Sequence, residues 1–180
     1  MAVPAAGWLN GLAYDAQQHA LYATDSTLGA VWKISLADDT ASIWEQDTQL
    51  QPATAFGKGA NGVKIQDGDV WVSNTTLGTL LRIPISRNGT AGTVSVAAQG
   101  VTGIDDFAFA SDGEVVAAQN QVSEASVIDV RTGVHATVLT AANGLSGPTS
   151  VAVRGNTVYI TSGAYSTGID PNLLEGTLVK

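Results

Sequence analysis

The stretch Gly59–Asn74, GANGVKIQDGDVWVSN, decides the fold of this chain. It contains two short runs of alternating apolar and polar residues, and Asp67-Gly68 stands between them. An Asp-Gly pair between two such runs is typical of the tight turn of a β-hairpin. Asn61 lies at the start of the first run and Asn74 at the end of the second. We therefore predict two antiparallel strands with a polar residue at each open end.

Weaker copies of this hairpin lie on both sides of it. The residues two places before the first apolar strand residue of each copy are Asn10, Asn61, Asp105 and Thr149, at intervals of 51, 44 and 44 residues. The third strands also match, since TLGAVWKI begins at position 27 and TLGTLLRI at position 76. A period of about 40–50 residues with four short strands in each unit is that of a β-propeller blade. The chain is therefore predicted to be all-β and built of four-stranded antiparallel blades.

Residues 1–180 are predicted to form one partial propeller domain, with blades at about 8–50, 58–100, 101–144 and 145–180. The last blade lacks its outer strand, because only the runs 149–153, 157–162 and 176–180 read as strands there. Residues 173–175 are expected to form one helical turn at most. An open sheet edge pairs readily with other chains. We therefore expect a complementary chain or a second copy of this chain to complete the propeller.

The composition narrows the classes of partner. The chain has 44% hydrophobic and 13% charged residues, which is typical of a folded domain. Its net charge of -8 is unfavourable for binding nucleic acid or anionic membranes. It has no cysteine, so disulfides and zinc–thiolate sites are excluded. No apolar run approaches the roughly 18 residues of a membrane span, and no signal peptide is recognisable. The low lysine content slightly favours a secreted protein, and the sequence does not assign a cellular location.

The order of the units resembles a known family. LNGLAYD, ANGVKIQDGDVWVSN, IDDFAFASDGEVVAA and GPTSVAV together are similar to the senescence-marker protein/regucalcin/gluconolactonase family of six-bladed β-propellers, closest to its fungal branch. The resemblance implies that the chain corresponds to blades three to six of such a propeller. It further implies a metal-dependent hydrolase of a small lactone or ester in the central channel. The ion would be calcium, with zinc or magnesium as alternatives.

The same resemblance assigns roles to individual residues. Asn61 and Asp105 match the Asn and Asp ligands of the metal, and Asn10 matches an Asn that contacts the substrate. The glutamate that completes the family's metal site has no counterpart in this chain. Two alternatives therefore stand beside the lactonase: a non-hydrolytic binding propeller or metal-independent, Diels-Alderase-type cyclase of fungal natural-product metabolism, and an inactive partial propeller.

Blade geometry agrees with the implied site. The start of each first strand and the end of each second strand meet at one end of the channel, and their carboxylate and amide oxygens suit a hard cation such as Ca²⁺. Following the resemblance, we predict that Asp105 and Asp106 are catalytic carboxylates and that Asn61 and Asp105 hold a metal. The predicted substrate contacts are Trp8, Asn10, Asp25, Asn74 and Gln119.

Two observations bear on that prediction. Asn and Asp at such positions also cap turns, which gives each of these residues an alternative structural role. Adjacent residues of a strand point to opposite faces. Only one of Asp105 and Asp106 is therefore expected to face the channel.

Overall fold

The computed structural model describes residues 7–111 and 113–178. In this part of the chain the regular elements are fifteen β-strands and two short 3-10 turns, at Asn120–Val122 and Ala141–Asn143. The strands form four antiparallel sheets in which sequential strands are neighbours. The sheets are arranged as the blades of a four-bladed β-propeller, which confirms the predicted fold class.

Each blade begins with its innermost strand. Blade 1 consists of β1 (Leu9–Asp15), β2 (Ala20–Asp25), β3 (Ala30–Ser35) and β4 (Thr40–Gln46). Blade 2 consists of β5 (Ala60–Gln66), β6 (Asp69–Asn74), β7 (Thr79–Pro84) and β8 (Ser95–Gln99). Blade 3 consists of β9 (Ile104–Ser111), β10 (Glu114–Gln119), β11 (Glu124–Asp129) and β12 (His135–Leu139). Blade 4 has three strands, β13 (Pro148–Arg154), β14 (Thr157–Ser162) and β15 (Asn172–Thr177).

The hairpin predicted in blade 2 forms as expected. Asp67 and Gly68 have φ angles of 54° and 80°, and two consecutive positive φ angles define the tight turn that Asp-Gly favours. The turn sets the register, so Gln66 pairs with Asp69. The sequence also predicts a turn at Asp112-Gly113 in blade 3, and Asp112 lies outside the described residues.

Apolar residues at every second strand position pack each blade against the next. Three buried clusters result, one between each pair of consecutive blades. Burial of this apolar surface is the main favourable contribution to folding. Representative members are Tyr22 and Val63 between blades 1 and 2, Trp71 and Phe107 between blades 2 and 3, and Val116 and Val151 between blades 3 and 4.

Two glycines let the innermost strands of neighbouring blades approach closely. A Cβ atom on Gly11 would lie 2.6 Å from the carbonyl oxygen of Asn61. A Cβ atom on Gly62 would lie 2.6 Å from Oδ1 and 2.9 Å from Cα of Asp106. Real Cβ atoms do not tolerate such distances, so the glycine of each Asn-Gly pair is required by packing between blades.

A hydroxyl group reinforces each of these two close approaches. The Gly62 amide donates to Oγ of Ser73 at 2.8 Å, and the same oxygen donates to the Asp105 carbonyl at 2.5 Å. In blade 1 the Gly11 amide donates to Oγ1 of Thr24 at 2.8 Å, and that hydroxyl donates to the Asn61 carbonyl. The repeated pattern therefore extends from strand positions to individual hydrogen bonds between blades.

The prediction for the last strand was wrong. β15 covers Asn172–Thr177 instead of 176–180, and residues 173–175 are part of a strand instead of a helical turn. Leu174 pairs with Ile160 and packs against the core between blades 3 and 4, whereas Leu173 is 61% exposed. Alternation between an exposed and a buried side chain is typical of a strand. The sequence did not show this alternation, because both residues are leucine.

Blade 1 has an apolar face that points away from blade 2. Leu12 is 62%, Tyr14 52% and Ile43 45% exposed. The cross-strand pairs place Leu12 and Ile43 on one face, together with Trp32. We call Leu12, Tyr14 and Ile43 the outer face of blade 1. None of the described helical turns has the length or the apolar character needed to cross a membrane.

Candidate active site

A pocket of about 530 Å³ opens at the end of the propeller where the first strands begin. Blade 1 contributes Trp8 and Asn10, and blade 3 contributes Asp105. Lys58 comes from the loop that precedes β5, and Tyr165 from the loop between β14 and β15. Thr149 completes the lining, so all four blades contribute residues. Two of the polar residues that line it, Asn10 and Asp105, were predicted to act here.

Asp105 is the acidic residue of this pocket. Its pKa is raised from 3.8 to about 6, mainly by burial, and the charge of Asp106 acts in the same direction. The Lys58 ammonium group and a hydrogen bond with the Asn61 side chain act in the opposite direction and lower it. A carboxyl group with a pKa near neutrality can both accept and donate a proton under physiological conditions. Asp105 is therefore suited to acid–base chemistry.

The backbone that carries Asp105 is fixed by the repeated contacts between blades. Its carbonyl accepts the hydrogen bond from Ser73 described above. Asn61, which is 2% exposed, donates from Nδ2 to Oγ1 of Thr75 at 2.8 Å, and its side chain is also hydrogen-bonded to Asp105. Asn10 makes the equivalent contact in blade 1, from Nδ2 to Oγ of Ser26 at 3.2 Å. Asn61 thus positions Asp105, while Asn10 lines the pocket.

Lys58 brings a positive charge into the pocket. Its Nζ atom lies 4.9 Å from the centroid of the Trp8 ring, within the range of a cation–π interaction. Its backbone carbonyl accepts hydrogen bonds from the amide and the hydroxyl of Thr76, both at 3.0 Å. Lys58 is therefore anchored both at its backbone and at the end of its side chain, and its charge acts on the pKa of Asp105.

The two adjacent carboxylates of β9 have different surroundings. Nζ of Lys64 lies 2.5 Å from Oδ1 of Asp106, and Oγ of Ser150 donates to Oδ2 at 2.8 Å. These contacts connect the first strands of blades 2, 3 and 4. Asp106 does not line the pocket that contains Asp105, in agreement with the opposite orientation of neighbouring strand residues.

Solved structures similar to this chain have the same propeller architecture. No protein-family model and no curated protein sequence matches the chain. Virginiamycin B lyase from Staphylococcus aureus is structurally similar, with a TM-score of 0.69 and 12% identity over 96% of this chain and 52% of that chain. The chain is a β-propeller. A luciferin-regenerating enzyme matches with a TM-score of 0.68 and 16% identity over 92% of this chain and 57% of its own.

The similarity establishes the fold of this propeller and no more, because the identities are so low. A computationally designed protein, Ika4, also matches, with a TM-score of 0.62 and 13% identity over 96% of this chain and 92% of that chain. Our chain spans about half the length of the lyase and of the luciferin-regenerating enzyme. Membership of the senescence-marker protein family, its fungal branch and the assignment to blades three to six stay predictions.

Three further residues predicted to contact a substrate are buried in the propeller and hydrogen-bonded to its backbone. Asp25 accepts from the amides of Trp8 and Leu28, both at 3.0 Å. Asn74 donates from Nδ2 to the carbonyls of residues 49 and 51, both at 2.8 Å. Gln119 donates to the carbonyl of residue 102 at 3.0 Å. None of the three lines the pocket. Their contacts are those of residues that cap turns and strand ends, which was the structural alternative to substrate binding.

The donor set of the pocket fits a divalent cation poorly. The described residues contain no group of three or more His, Asp or Glu side chains able to hold an ion. Asp105 is the pocket's carboxylate, and the positive charge of Lys58 acts on it. The predicted site at Asn61 and Asp105 would therefore need ligands from elsewhere and would compete with an ammonium group.

Two cavities of comparable size open at the other end of the propeller, with volumes of about 590 and 620 Å³. Each is lined by residues of two neighbouring blades. In the first, Nε of Arg82 lies 2.6 Å from Oδ2 of Asp69, so the two charges compensate each other. The pocket around Asp105 is the stronger candidate, because it combines all four blades with a carboxyl group of raised pKa.

Sequence reasoning did not identify Lys58 or Tyr165. The available signal for Lys58 was its position between two glycines, Gly57 and Gly59, immediately before the first strand of blade 2. The signal for Tyr165 was an aromatic residue in the long loop after β14, which returns to the same end as Asn10 and Asp105.

Proposed function

We propose that the central pocket binds a small molecule with an ester or lactone group, and that the protein hydrolyses it with Asp105 as the acid–base residue. The observation that carries the proposal is a carboxyl group with a pKa of about 6 in a pocket lined by residues of all four blades. The names of the similar propellers, virginiamycin B lyase and luciferin-regenerating enzyme, describe conversions of small molecules. The resemblance to lactonases in the sequence favours an ester or a lactone as the reactive group.

The residues of the pocket have complementary tasks in such a reaction. Ionised Asp105 takes a proton from a water molecule, and the water oxygen attacks the carbonyl carbon. The Lys58 ammonium group stabilises the negative charge that develops on the carbonyl oxygen. Asp105 then returns the proton to the leaving alkoxide. Asn10 and Thr149 are placed to hydrogen-bond the substrate.

The proposal predicts a defined effect of replacing Asp105. The Asp105→Asn variant keeps the size of the side chain but cannot transfer a proton, so kcat should fall by about 100-fold or more. In the wild type, kcat/KM should rise with pH through about 6, as Asp105 ionises. Asp67→Asn is a matched control, because Asp67 is exposed in a turn at the other end and Asn-Gly also suits that turn.

The measurement is hydrolysis of a panel of uncharged esters and lactones by pH titration of the released acid. Equal activity of wild type and Asp105→Asn would refute the role of Asp105. Binding of panel members without turnover would favour the non-hydrolytic alternative, and a lack of both would favour an inactive partial propeller.

The divalent cation implied by the sequence resemblance is a separate proposal with a separate test. Calorimetric titration of the wild type and of Asp105→Ala with Ca²⁺ and Zn²⁺ measures it directly. Binding that disappears in the variant would support a metal ligand at this position. An absence of binding to both proteins would support the metal-free reaction described above.

A further inference from the structure

Two exposed aromatic side chains line the pocket from different ends of the chain. Trp8 precedes the first strand of blade 1 and is 57% exposed, and Tyr165 follows the second strand of blade 4 and is 84% exposed. Both line the pocket that contains Asp105. Exposed aromatic surface is unfavourable in water, so two such rings at one pocket indicate a binding surface.

Both residues are held in place although their rings are exposed. The amide of Trp8 donates to Oδ1 of Asp25 at 3.0 Å, and its carbonyl accepts from the amide of Ser26 at 2.9 Å. A Cβ atom on Gly163 would lie 2.8 Å from the Tyr165 ring and 3.0 Å from Cγ2 of Thr149. The Tyr165 ring therefore packs over Gly163 beside a residue of the pocket lining.

The surroundings of these rings carry little charge. In the described loops at this end of the propeller, the charged residues are Asp47, Lys58 and Asp170. Lys58 and Asp105 line the same pocket, so one basic and one acidic side chain oppose each other there. The pocket therefore suits a molecule without net charge.

We infer that the ester or lactone bound here carries a neutral aromatic ring, and that Trp8 and Tyr165 bind this ring. The inference rests on the proposed function for the reactive group, whereas the ring is assigned from the two aromatic side chains. Aromatic rings pair in stacked or edge-to-face geometry, and the contact adds to the burial of apolar area. Trp8 and Tyr165 are then specificity-determining residues for the acyl part of the substrate.

Methyl phenylacetate and methyl cyclohexylacetate provide the test, because they share a leaving group and differ in the aromaticity of the ring. The wild type should hydrolyse the phenyl compound with a KM about tenfold lower. Tyr165→Ser should remove this preference through KM, with kcat nearly unchanged, and Tyr165→Phe should retain it. Trp8→Ser should also remove the preference, and it should lower kcat as well, because the Trp8 ring holds the Lys58 ammonium group. Phe56→Ser is the control, because Phe56 is fully exposed at the same end but outside the pocket lining.

Binding of phenylacetamide, which lacks the ester, separates this inference from the proposed function. Calorimetry should show that it binds the wild type and the Phe56→Ser variant, and binds Tyr165→Ser at least about tenfold more weakly. This result without ester hydrolysis would support the aromatic site and refute the hydrolase. Hydrolysis with equal KM for the two methyl esters, or phenylacetamide binding unaffected by Tyr165→Ser, would overturn the inference. Circular dichroism of each variant verifies that the fold is retained.

Discussion

Replacing Asp105 by asparagine is expected to change how the stability of the protein depends on pH. The folded state raises the pKa of Asp105 from 3.8 to about 6, mainly because burial disfavours the ionised form. For a group whose folded pKa is raised, the contribution to stability is fully present below the unfolded pKa. It is lost as the pH rises through the folded pKa. The stabilising contribution of Asp105 should therefore be lost between about pH 4 and pH 6.

The size of the loss follows from the two pKa values. The difference between 3.8 and about 6, at 1.36 kcal/mol for each pKa unit, corresponds to about 3 kcal/mol. The amide of the Asp105→Asn variant does not ionise, so the variant would not show this loss. At pH 4 a small part of this change has already occurred, so the unfolding free energy of Asp105→Asn relative to the wild type should increase by about 2.5 kcal/mol between pH 4 and pH 8.

Urea denaturation of both proteins at pH 4, 5, 6, 7 and 8 measures this difference. The dependence of the free-energy difference on pH is decisive. A difference between the two proteins that is the same at every pH reflects only the hydrogen bonding and packing of the new amide. Asp67→Asn is the control for an Asp-to-Asn change outside the pocket, since Asp67 is exposed in a turn. A free-energy difference between Asp105→Asn and wild type that stays constant from pH 4 to pH 8 would refute the raised pKa and the acid–base role built on it.

Three further predictions concern packing and assembly. Gly62→Ala should lower the unfolding free energy by about 2 kcal/mol or more in urea denaturation, because its Cβ would lie 2.9 Å from Cα of Asp106. Gly176→Ala should be nearly neutral, since nothing lies within 4 Å of its Cβ position, and equal effects of both would contradict the packing argument. Lys64→Met should cost about 1 kcal/mol by removing the partner of Asp106, and a double-mutant cycle with Asp106→Asn should show the coupling. Light scattering should show that the wild type is oligomeric, because the outer face of blade 1 is apolar and exposed. Replacing Leu12 on this face by serine should shift the protein towards the monomer. A monomeric wild type would count against a partner chain.

The fold could be predicted because each blade repeats its pattern locally. The Asp67-Gly68 turn, the alternating strands and the intervals between Asn10, Asn61 and Asp105 each depend on neighbours in sequence, and their agreement indicated a propeller. The last strand was misplaced because Leu173-Leu174 does not alternate. Only the neighbouring strand β14 shows that the first leucine faces solvent and the second the core.

The site could be predicted only in part, for a different reason. Asn10 and Asp105 occupy fixed positions of the repeat, so their common location followed from blade geometry. Lys58 and Tyr165 lie in loops of unequal length, and their approach to Asp105 depends on the packing of whole blades. The repeat pattern also could not separate Asn10, which lines the pocket, from buried residues such as Asn74 at equivalent ends of strands.

The joint between blades 2 and 3 has a consequence for engineering. Ser73 of blade 2 donates to a backbone carbonyl of blade 3, and Gly62 makes room for backbone atoms there. The Ser73 hydrogen bond uses only the main chain of the neighbouring blade, so it does not depend on the side chains there. A duplicated segment 58–100 inserted after itself should form the same hydrogen bond and lengthen the propeller by one blade, whereas the Lys64–Asp106 ion pair and the packing of Trp71 with Phe107 need matching side chains. The contact of blade 3 with blade 4 differs, since there Ser150 donates a hydrogen bond to the side chain of Asp106.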